Sequence, residues 1–271
     1  MKPAVERIVA VLVWAASLAP LWAWWVRRFA EPLDLDVVAW AALAVLLVAS
    51  WRGRSSTSVR PAAWKLVCAA AGLVVFHVLR RFVPPTASGV FGIAAGIPLL
   101  LPEPDGNRSG GRAPGVAPFL GLALMGLPTA MILDLFLGLP LRVLATTAAV
   151  ELLRLAGIPV VRTGLELVVG ETSIWVDVPC AGIHTLGAGL LTAFVLAAAF
   201  EFRWGRTIVL SLVAVFSVVV ANVMRIAVLT LVALRGQTLS ASGHSVVGCV
   251  LLLPSVLLVA AQAYLLERRR K

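Results

Sequence analysis

The chain has 271 residues, of which 61% are hydrophobic and only 13% are charged. In a soluble globular domain about a quarter of the residues are charged, so the composition excludes a cytosolic enzyme and a disordered chain. Three cysteines, Cys68, Cys180 and Cys249, are too few and odd in number for a secreted disulfide scaffold. We therefore expect a membrane protein, in which the net charge of +10 reflects arginines that anchor cytoplasmic loops.

Long stretches that are uncharged, or in one case interrupted only by Arg225, predict about eight membrane-spanning helices, because one crossing needs about 20 mostly apolar residues. These stretches are residues 8–26, 37–51, 66–79, 82–102, 113–133, 178–200, 207–234 and 236–266. The first is interpreted as a retained helix rather than a signal peptide, since tryptophans and arginines follow it without a small-residue cleavage site. In the fourth, proline and glycine predict a short or irregular helix over about 90–101.

Two segments between the spans are expected to lie outside the bilayer. Residues 141–155 hold Arg142, Glu151 and Arg154, which suits a helix that lies in the membrane interface. Residues 158–178 alternate β-branched runs with glycine and proline, and this pattern predicts a small β-hairpin. An open sheet edge cannot face lipid, so the hairpin is expected in water.

The basic residues predict the orientation of the chain. Four positive charges in the last four residues, together with the loop that holds Arg203 and Arg206, favour the cytoplasm for the C-terminus and for that loop. Counting crossings then places Cys180, Arg225 and His244 towards the extracytoplasmic side. With eight spans, the N-terminus is also cytoplasmic.

Arg225 is the clearest candidate for function within a span, because an ionisable residue in the bilayer is costly. Asn222 precedes it by three positions, which places both side chains on one helix face. A purely structural role, in which Arg225 pairs with a carbonyl or reaches the outer surface, is the alternative.

Cys180 and two histidines could supply the remaining groups of a reactive site. Cys180 follows Pro179 at the entrance of a span, and a helix N-terminus lowers a thiol pKa and so favours the nucleophilic thiolate. His244 near the outer entrance of the last span could act as acid or base. His184, four residues after Cys180 and expected on the same helix face, is its rival. Cys68 and Cys249 are expected to be ordinary apolar residues, and no metal site or cofactor is expected.

Four sequence segments together resemble the exosortase/archaeosortase family. They are residues 152–164, the run Val176-Asp177-Val178-Pro179-Cys180-Ala181-Gly182-Ile183, the run Asn222-Val223-Met224-Arg225, and Gly243-His244 followed by Gly248. The resemblance covers about residues 115–266. It implies an all-α membrane protein whose catalytic region is 111–271, preceded by N-terminal transmembrane helices in 1–110.

The resemblance also implies a membrane cysteine protease and transpeptidase. Such enzymes process exported proteins that end in a short motif, a hydrophobic helix and a basic tail. Cys180 would be the nucleophile, His244 the acid/base and Arg225 the electrostatic partner, with Asn222, Gly182 and His184 in support. The family commonly has serine after the cysteine, where this chain has Ala181.

Two alternatives to this enzyme stay open from the sequence. One is a non-catalytic transporter or membrane assembly factor that uses Arg225 to bind an anionic substrate. The other is an inactive family member with a scaffolding role. A transporter requires polar residues along a path through the bilayer, whereas the candidate residues here are expected on one side. Membrane lipid is an expected partner and nucleic acid is not.

Overall fold

The computed structural model describes residues 3–28, 35–51, 61–102, 115–127, 134–176, 182–236 and 241–269. Its α-helices are α1 (Pro3–Ser17), α2 (Ala19–Arg28), α3 (Leu35–Trp51), α4 (Ala63–Leu79), α5 (Pro85–Leu100), α6 (Val116–Met125), α7 (Leu139–Leu155), α8 (Ile183–Ala199), α9 (Trp204–Leu234) and α10 (Ala241–Arg268). A π-helical segment, Asp134–Gly138, precedes α7. Three short strands follow α7: β1 (Val161–Thr163), β2 (Glu166–Val169) and β3 (Thr172–Trp175).

The helical membrane fold expected from the composition is confirmed, whereas the count of eight spans stays a prediction. Within the described residues, the helical segments that are long and apolar enough for a crossing are Asp134–Leu155, Trp204–Leu234 and Val246–Arg268. Five shorter apolar helices accompany them: Val37–Ser50, Ala63–Leu79, Pro85–Leu100, Val116–Met125 and Ile183–Ala199.

The chain divides into two compact units. The first unit comprises Met1–Pro128 and Phe194–Thr207, and the second comprises Thr129–Ala193 and Ile208–Lys271.

In the first unit, α5 packs through a row of glycines. Each of these glycines touches a bulky side chain from α1, from α2 or from the link between them: Gly89 touches Leu21, Gly92 touches Leu18, and Gly96 touches Trp14. The Trp14 indole Nε1 also donates a hydrogen bond of 2.8 Å to the carbonyl oxygen of Gly92. Small residues let helices approach closely in a membrane, where packing replaces the hydrophobic effect as the driving force.

The prediction of a short helix over 90–101 is wrong at its start. The helix α5 begins at Pro85 and continues to Leu100, with Pro98 inside it. Pro85 lies in the first turn, where its missing N–H has no intrahelical partner to lose. The glycines that suggested irregularity are buried in helix contacts, and this packing offsets their low helix propensity.

Two buried cations lie at the C-terminal end of α5. Arg7 donates a hydrogen bond of 2.9 Å to the carbonyl oxygen of Leu99 and another to that of Leu101. Lys65 donates one of 3.3 Å to the carbonyl oxygen of Leu101. Both cations therefore satisfy carbonyls that the helix end leaves open, and their charge complements the negative end of the helix dipole.

The helix α6 runs antiparallel to the C-terminal part of α8 in the same unit. Gly115, just before α6, lies against the backbone carbonyl of Phe202, and Gly121 lies against the ring of Phe194. As α6 advances, its neighbours in the other segment therefore come earlier in the sequence. The start of α6 and the end of α8 consequently lie at the same end of the helix pair.

The second unit contains a three-stranded antiparallel sheet in the order β1-β2-β3, rather than the predicted hairpin. Leu167 in the central strand is the register partner of both Arg162 and Ile174. Each connection is a two-residue turn that begins with a glycine, Gly164 (φ +66°) or Gly170 (φ +59°). Glycine at this position fits tight hairpin turns, and it explains how strands of only three or four residues pair so closely.

The inner face of this sheet packs on α7 and α9. The buried apolar side chains at this contact are Ala145, Ala149, Val150 and Leu153 from α7, Val160, Leu167 and Val176 from the sheet segment, and Ile226 and Ala227 from α9. Arg154 and Arg162 add polar links, since Arg154 donates to the carbonyl oxygen of Val160 at 3.0 Å and Arg162 to Thr147 Oγ1 at 2.7 Å. The sheet is thus fixed beside the stretch of α9 that carries Arg225.

Candidate active site

The centre of the candidate site is the pair Asn222 and Arg225 on α9. They lie in the middle of a 31-residue helix, so the three-residue spacing places both side chains on one face. Asn222 is buried, with 6% of its surface exposed, and Arg225 is half-buried. The helix therefore holds an amide and a guanidinium in a largely apolar setting.

Gly182 packs against Asn222 at the start of α8. Its carbonyl oxygen accepts hydrogen bonds from the N–H of Leu186 at 2.8 Å and from Thr185 Oγ1 at 2.7 Å, so Gly182 caps the helix N-terminus. Its φ of +75° lies in the left-handed region, and a Cβ here would be 2.9 Å from Asn222 Cγ. Glycine satisfies both constraints, because it has no side chain.

Gly248 provides the corresponding contact for Arg225 from α10. A Cβ on Gly248 would be 3.4 Å from the Arg225 Cζ and 3.5 Å from its Nε. The guanidinium therefore lies on the bare backbone surface of α10. The main chain of His244 lies in the first turn of α10, one turn before Gly248, while its side chain lies outside the described residues.

Cys180 also lies outside the described residues, in the segment 177–181 that joins the sheet to α8. It precedes Gly182 by two positions, and Gly182 touches Asn222. The helix begins only at Ile183, after the left-handed Gly182, so the helical four-residue spacing from Cys180 to His184 does not apply. His184 itself is exposed in the first turn of α8.

A small cleft in the second unit is lined by Gly182 and Asn222 together with apolar residues. Leu141, Ala145, Gly182, Leu186, Val218, Val219 and Asn222 line it. Its lining side chains are apolar apart from the Asn222 amide. Leu141 and Val218 could not be identified as lining residues from the sequence, because their position depends on which helices pack together. Among the described residues, no group of three or more His, Cys, Asp or Glu side chains could hold a metal ion.

The structure therefore brings together three of the segments that carry the family resemblance: Gly182, the pair Asn222 and Arg225, and Gly248. The fourth segment, residues 152–164, links the sheet to α7: Arg154 donates to the carbonyl oxygen of Val160, and Arg162 donates to Thr147.

A comparison with protein families identifies the chain. The family described as Transmembrane exosortase (Exosortase_EpsH) matches residues 24–261. The chain belongs to the transmembrane exosortase family. No curated protein and no solved structure matches it.

The family match confirms the resemblance and extends it. The resemblance was carried by residues 115–266, whereas the exosortase match begins at residue 24 and so includes most of the N-terminal helices. Family membership and the apolar helices together assign the chain to a membrane.

Proposed function

We propose that this exosortase is a membrane-embedded cysteine protease and transpeptidase that cleaves the C-terminal sorting signal of exported proteins. The observation that supports it best is the pair of glycine contacts, Gly182 with Asn222 and Gly248 with Arg225. They join the chain segment just after Cys180 to the helix that carries Arg225 and to the helix that carries His244. These segments are far apart in the sequence, and a three-residue catalytic site requires them to meet.

The proposed reaction passes through a thioester. The Cys180 thiolate attacks the carbonyl carbon of the scissile peptide bond and forms an S–C bond. Arg225 stabilises the negative charge on the carbonyl oxygen with its own charge and directed N–H groups. The C–N bond then breaks, and His244 gives a proton to the leaving amine. Water or an acceptor amine finally attacks the thioester, which releases Cys180 and forms a carboxylate or a new amide.

The proposed substrates are exported proteins with a short C-terminal motif, a hydrophobic helix and a basic tail. The substrate helix would lie in the bilayer against the apolar helices of the enzyme, which would place the motif at the membrane surface. We assign the catalytic region to residues 111–271, because every residue of the proposed site falls within it. Residues 1–110 would contribute transmembrane helices.

We also propose that the site faces the extracytoplasmic side, with both termini in the cytoplasm. The chain leaves α6 and returns through α8, which run antiparallel, so the segment between them begins and ends on one side of the membrane. Asp134–Leu155 is long enough to cross the membrane. If it crossed, the chain would need a second crossing before α8, and that crossing would have to pass the open-edged sheet through lipid, which is prohibitive. This supports an interfacial α7. A reporter after Lys271 should score cytoplasmic, and one inserted at Gly170 extracytoplasmic.

The decisive experiment compares three cysteine variants in cells that express a substrate of this class. Cys180→Ala should abolish processing, and hydroxylamine should release a substrate adduct from the wild type but not from this variant. Cys68→Ala and Cys249→Ala are matched controls, because both thiols lie exposed on apolar helices, and processing should continue in both. If cells with Cys180→Ala process as much substrate as cells with the wild type, the cysteine mechanism is disproved, and the transporter or assembly factor that uses Arg225 is favoured.

A further inference from the structure

The two outer strands of the sheet have different neighbours. The β1 edge is tied to α7, since Arg162 in β1 donates hydrogen bonds to Thr147 Oγ1 at 2.7 Å and to the carbonyl oxygen of Val143 at 3.5 Å. Across the described ranges, no strand pairs with β3 on the side away from β2. The strand β1 is exposed throughout and β3 is exposed at Ser173 and Trp175, so both edges are open, and the β3 edge is the one whose chain continues to Cys180.

The register shows which backbone groups β3 presents at this edge. The N–H of Val176 donates to the carbonyl oxygen of Leu165 at 3.0 Å, which marks their pair as hydrogen-bonded. In an antiparallel ladder such pairs alternate with non-bonded ones. The N–H and C=O groups of Ser173 and Trp175 therefore point away from β2. The side chains of both residues are also exposed, and that of Trp175 is 60% exposed.

The β3 edge is close in sequence to the candidate active site. Val176, the residue after β3, belongs to the same buried apolar cluster as Ile226 and Ala227, which follow Arg225 on α9. Cys180 comes four positions after Val176 in the sequence. A peptide that pairs with β3 would thus be held at the strand that leads into the nucleophile's segment.

We propose that the β3 edge binds the recognition motif of the substrate as an added β-strand. This inference rests on the proposed function and names the surface that holds the peptide. Added strands gain affinity from main-chain hydrogen bonds, and specificity from alternate side chains. Since β3 has four residues and a strand advances about 3.3 Å per residue, the edge suits a short motif and extends no further. The exposed Trp175 would contact one side chain of that motif.

The test separates the backbone N–H of Ser173 from its side chain. Ser173→Pro removes the outward N–H, which an edge strand tolerates because that group makes no bond within the sheet. Ser173→Ala keeps the N–H and removes only the hydroxyl, whose partner is Glu166. With purified enzyme in lipid nanodiscs and a substrate that the wild type processes, Ser173→Pro should raise KM about three- to tenfold relative to Ser173→Ala, the value of one hydrogen bond. The thermal unfolding midpoints of the two variants should agree.

A second measurement needs no enzyme variant. Synthetic peptides that span the motif of the same substrate, each N-methylated at one residue, are tested as competitors. Strand addition predicts that N-methylation weakens competition at every second residue, because only alternate N–H groups face β3. The proposal would be overturned if both Ser173 variants had the same KM and if N-methylation had no alternating effect. It would also be overturned if the β3 edges of two enzyme copies paired with each other and N-methylation of the peptides had no alternating effect. Neither result affects the Cys180 test, whose failure would instead overturn the proposed function.

Discussion

Glycines in the two units of this exosortase make room for different kinds of side chain. In the first unit, Gly92 and Gly96 accommodate the apolar Leu18 and Trp14. In the second unit, Gly182 and Gly248 lie on the amide of Asn222 and the guanidinium of Arg225. The first arrangement brings helices together. The second packs bare backbone against polar groups that the bilayer would not solvate, and such polar residues mark functional sites in membranes.

The sharpest test of this difference compares Arg225 with Arg7, a buried arginine of the first unit. Arg225→Lys should lower kcat/KM for substrate processing on the order of a hundredfold or more, the typical cost of one oxyanion donor, because lysine keeps the charge but loses the planar fork. Arg7→Lys should keep processing per folded molecule and lower thermal stability, since Arg7 bonds the carbonyls of Leu99 and Leu101. Equal activity losses in both variants would show that Arg225 is structural.

The two histidines of the second unit give the next test. His244 lies one turn before Gly248 on α10, whereas His184 is exposed at the start of α8. His244→Ala should lower amide cleavage on the order of a hundredfold, the usual contribution of a general acid, and should partly spare a thioester substrate, whose leaving group needs no proton. His184→Ala should retain clear activity in the same assay. The reverse pattern would transfer the acid/base role to His184.

Replacing one glycine of each unit with alanine should affect activity in the second unit and only stability in the first. At Gly182 the left-handed backbone costs an L-residue about 1–2 kcal/mol, and the new Cβ would press on Asn222 Cγ. The strain should lower the stability of Gly182→Ala, and the displaced Asn222 should in addition reduce processing by the folded fraction about tenfold, the equivalent of ~1.4 kcal/mol. Gly96→Ala, which presses on Trp14, should lower stability by about 1–3 kcal/mol without changing the activity of the folded fraction. Activity assays on protein quantified by unfolding curves distinguish the two effects.

The smallest effect is expected at Gly248. An alanine Cβ there would lie 3.4 Å or more from the Arg225 guanidinium, close to the ordinary van der Waals separation of about 3.5–4.0 Å. Gly248→Ala should therefore change kcat/KM by no more than about threefold, whereas Gly248→Leu should displace Arg225 and approach the loss of Arg225→Lys. If Gly248→Leu has the kcat/KM of the wild type, the contact of the Arg225 guanidinium with α10 is not required for activity.

Local features were predictable where a short-range rule applied. The single-turn relation of Asn222 and Arg225 follows from helical periodicity, and the structure places both in one long helix. Residues 158–178 showed β-branched runs between glycines, but the prediction had one strand too few. Strands of three or four residues are too short for alternation to separate them clearly, and the turn geometry at Gly164 and Gly170 decided how they pair.

The sequence by itself determined that this is a helical membrane protein of the exosortase family, because composition and short motifs need no knowledge of packing. Only the tertiary structure decided that Gly182 meets Asn222 and that Gly248 meets Arg225. It also decided that α5 is one helix, since contacts with Leu18, Leu21 and Trp14 compensate for its glycines. Such contacts join residues that are distant in the chain. Their energies depend on which helix faces pack together, and helical periodicity alone does not specify that choice.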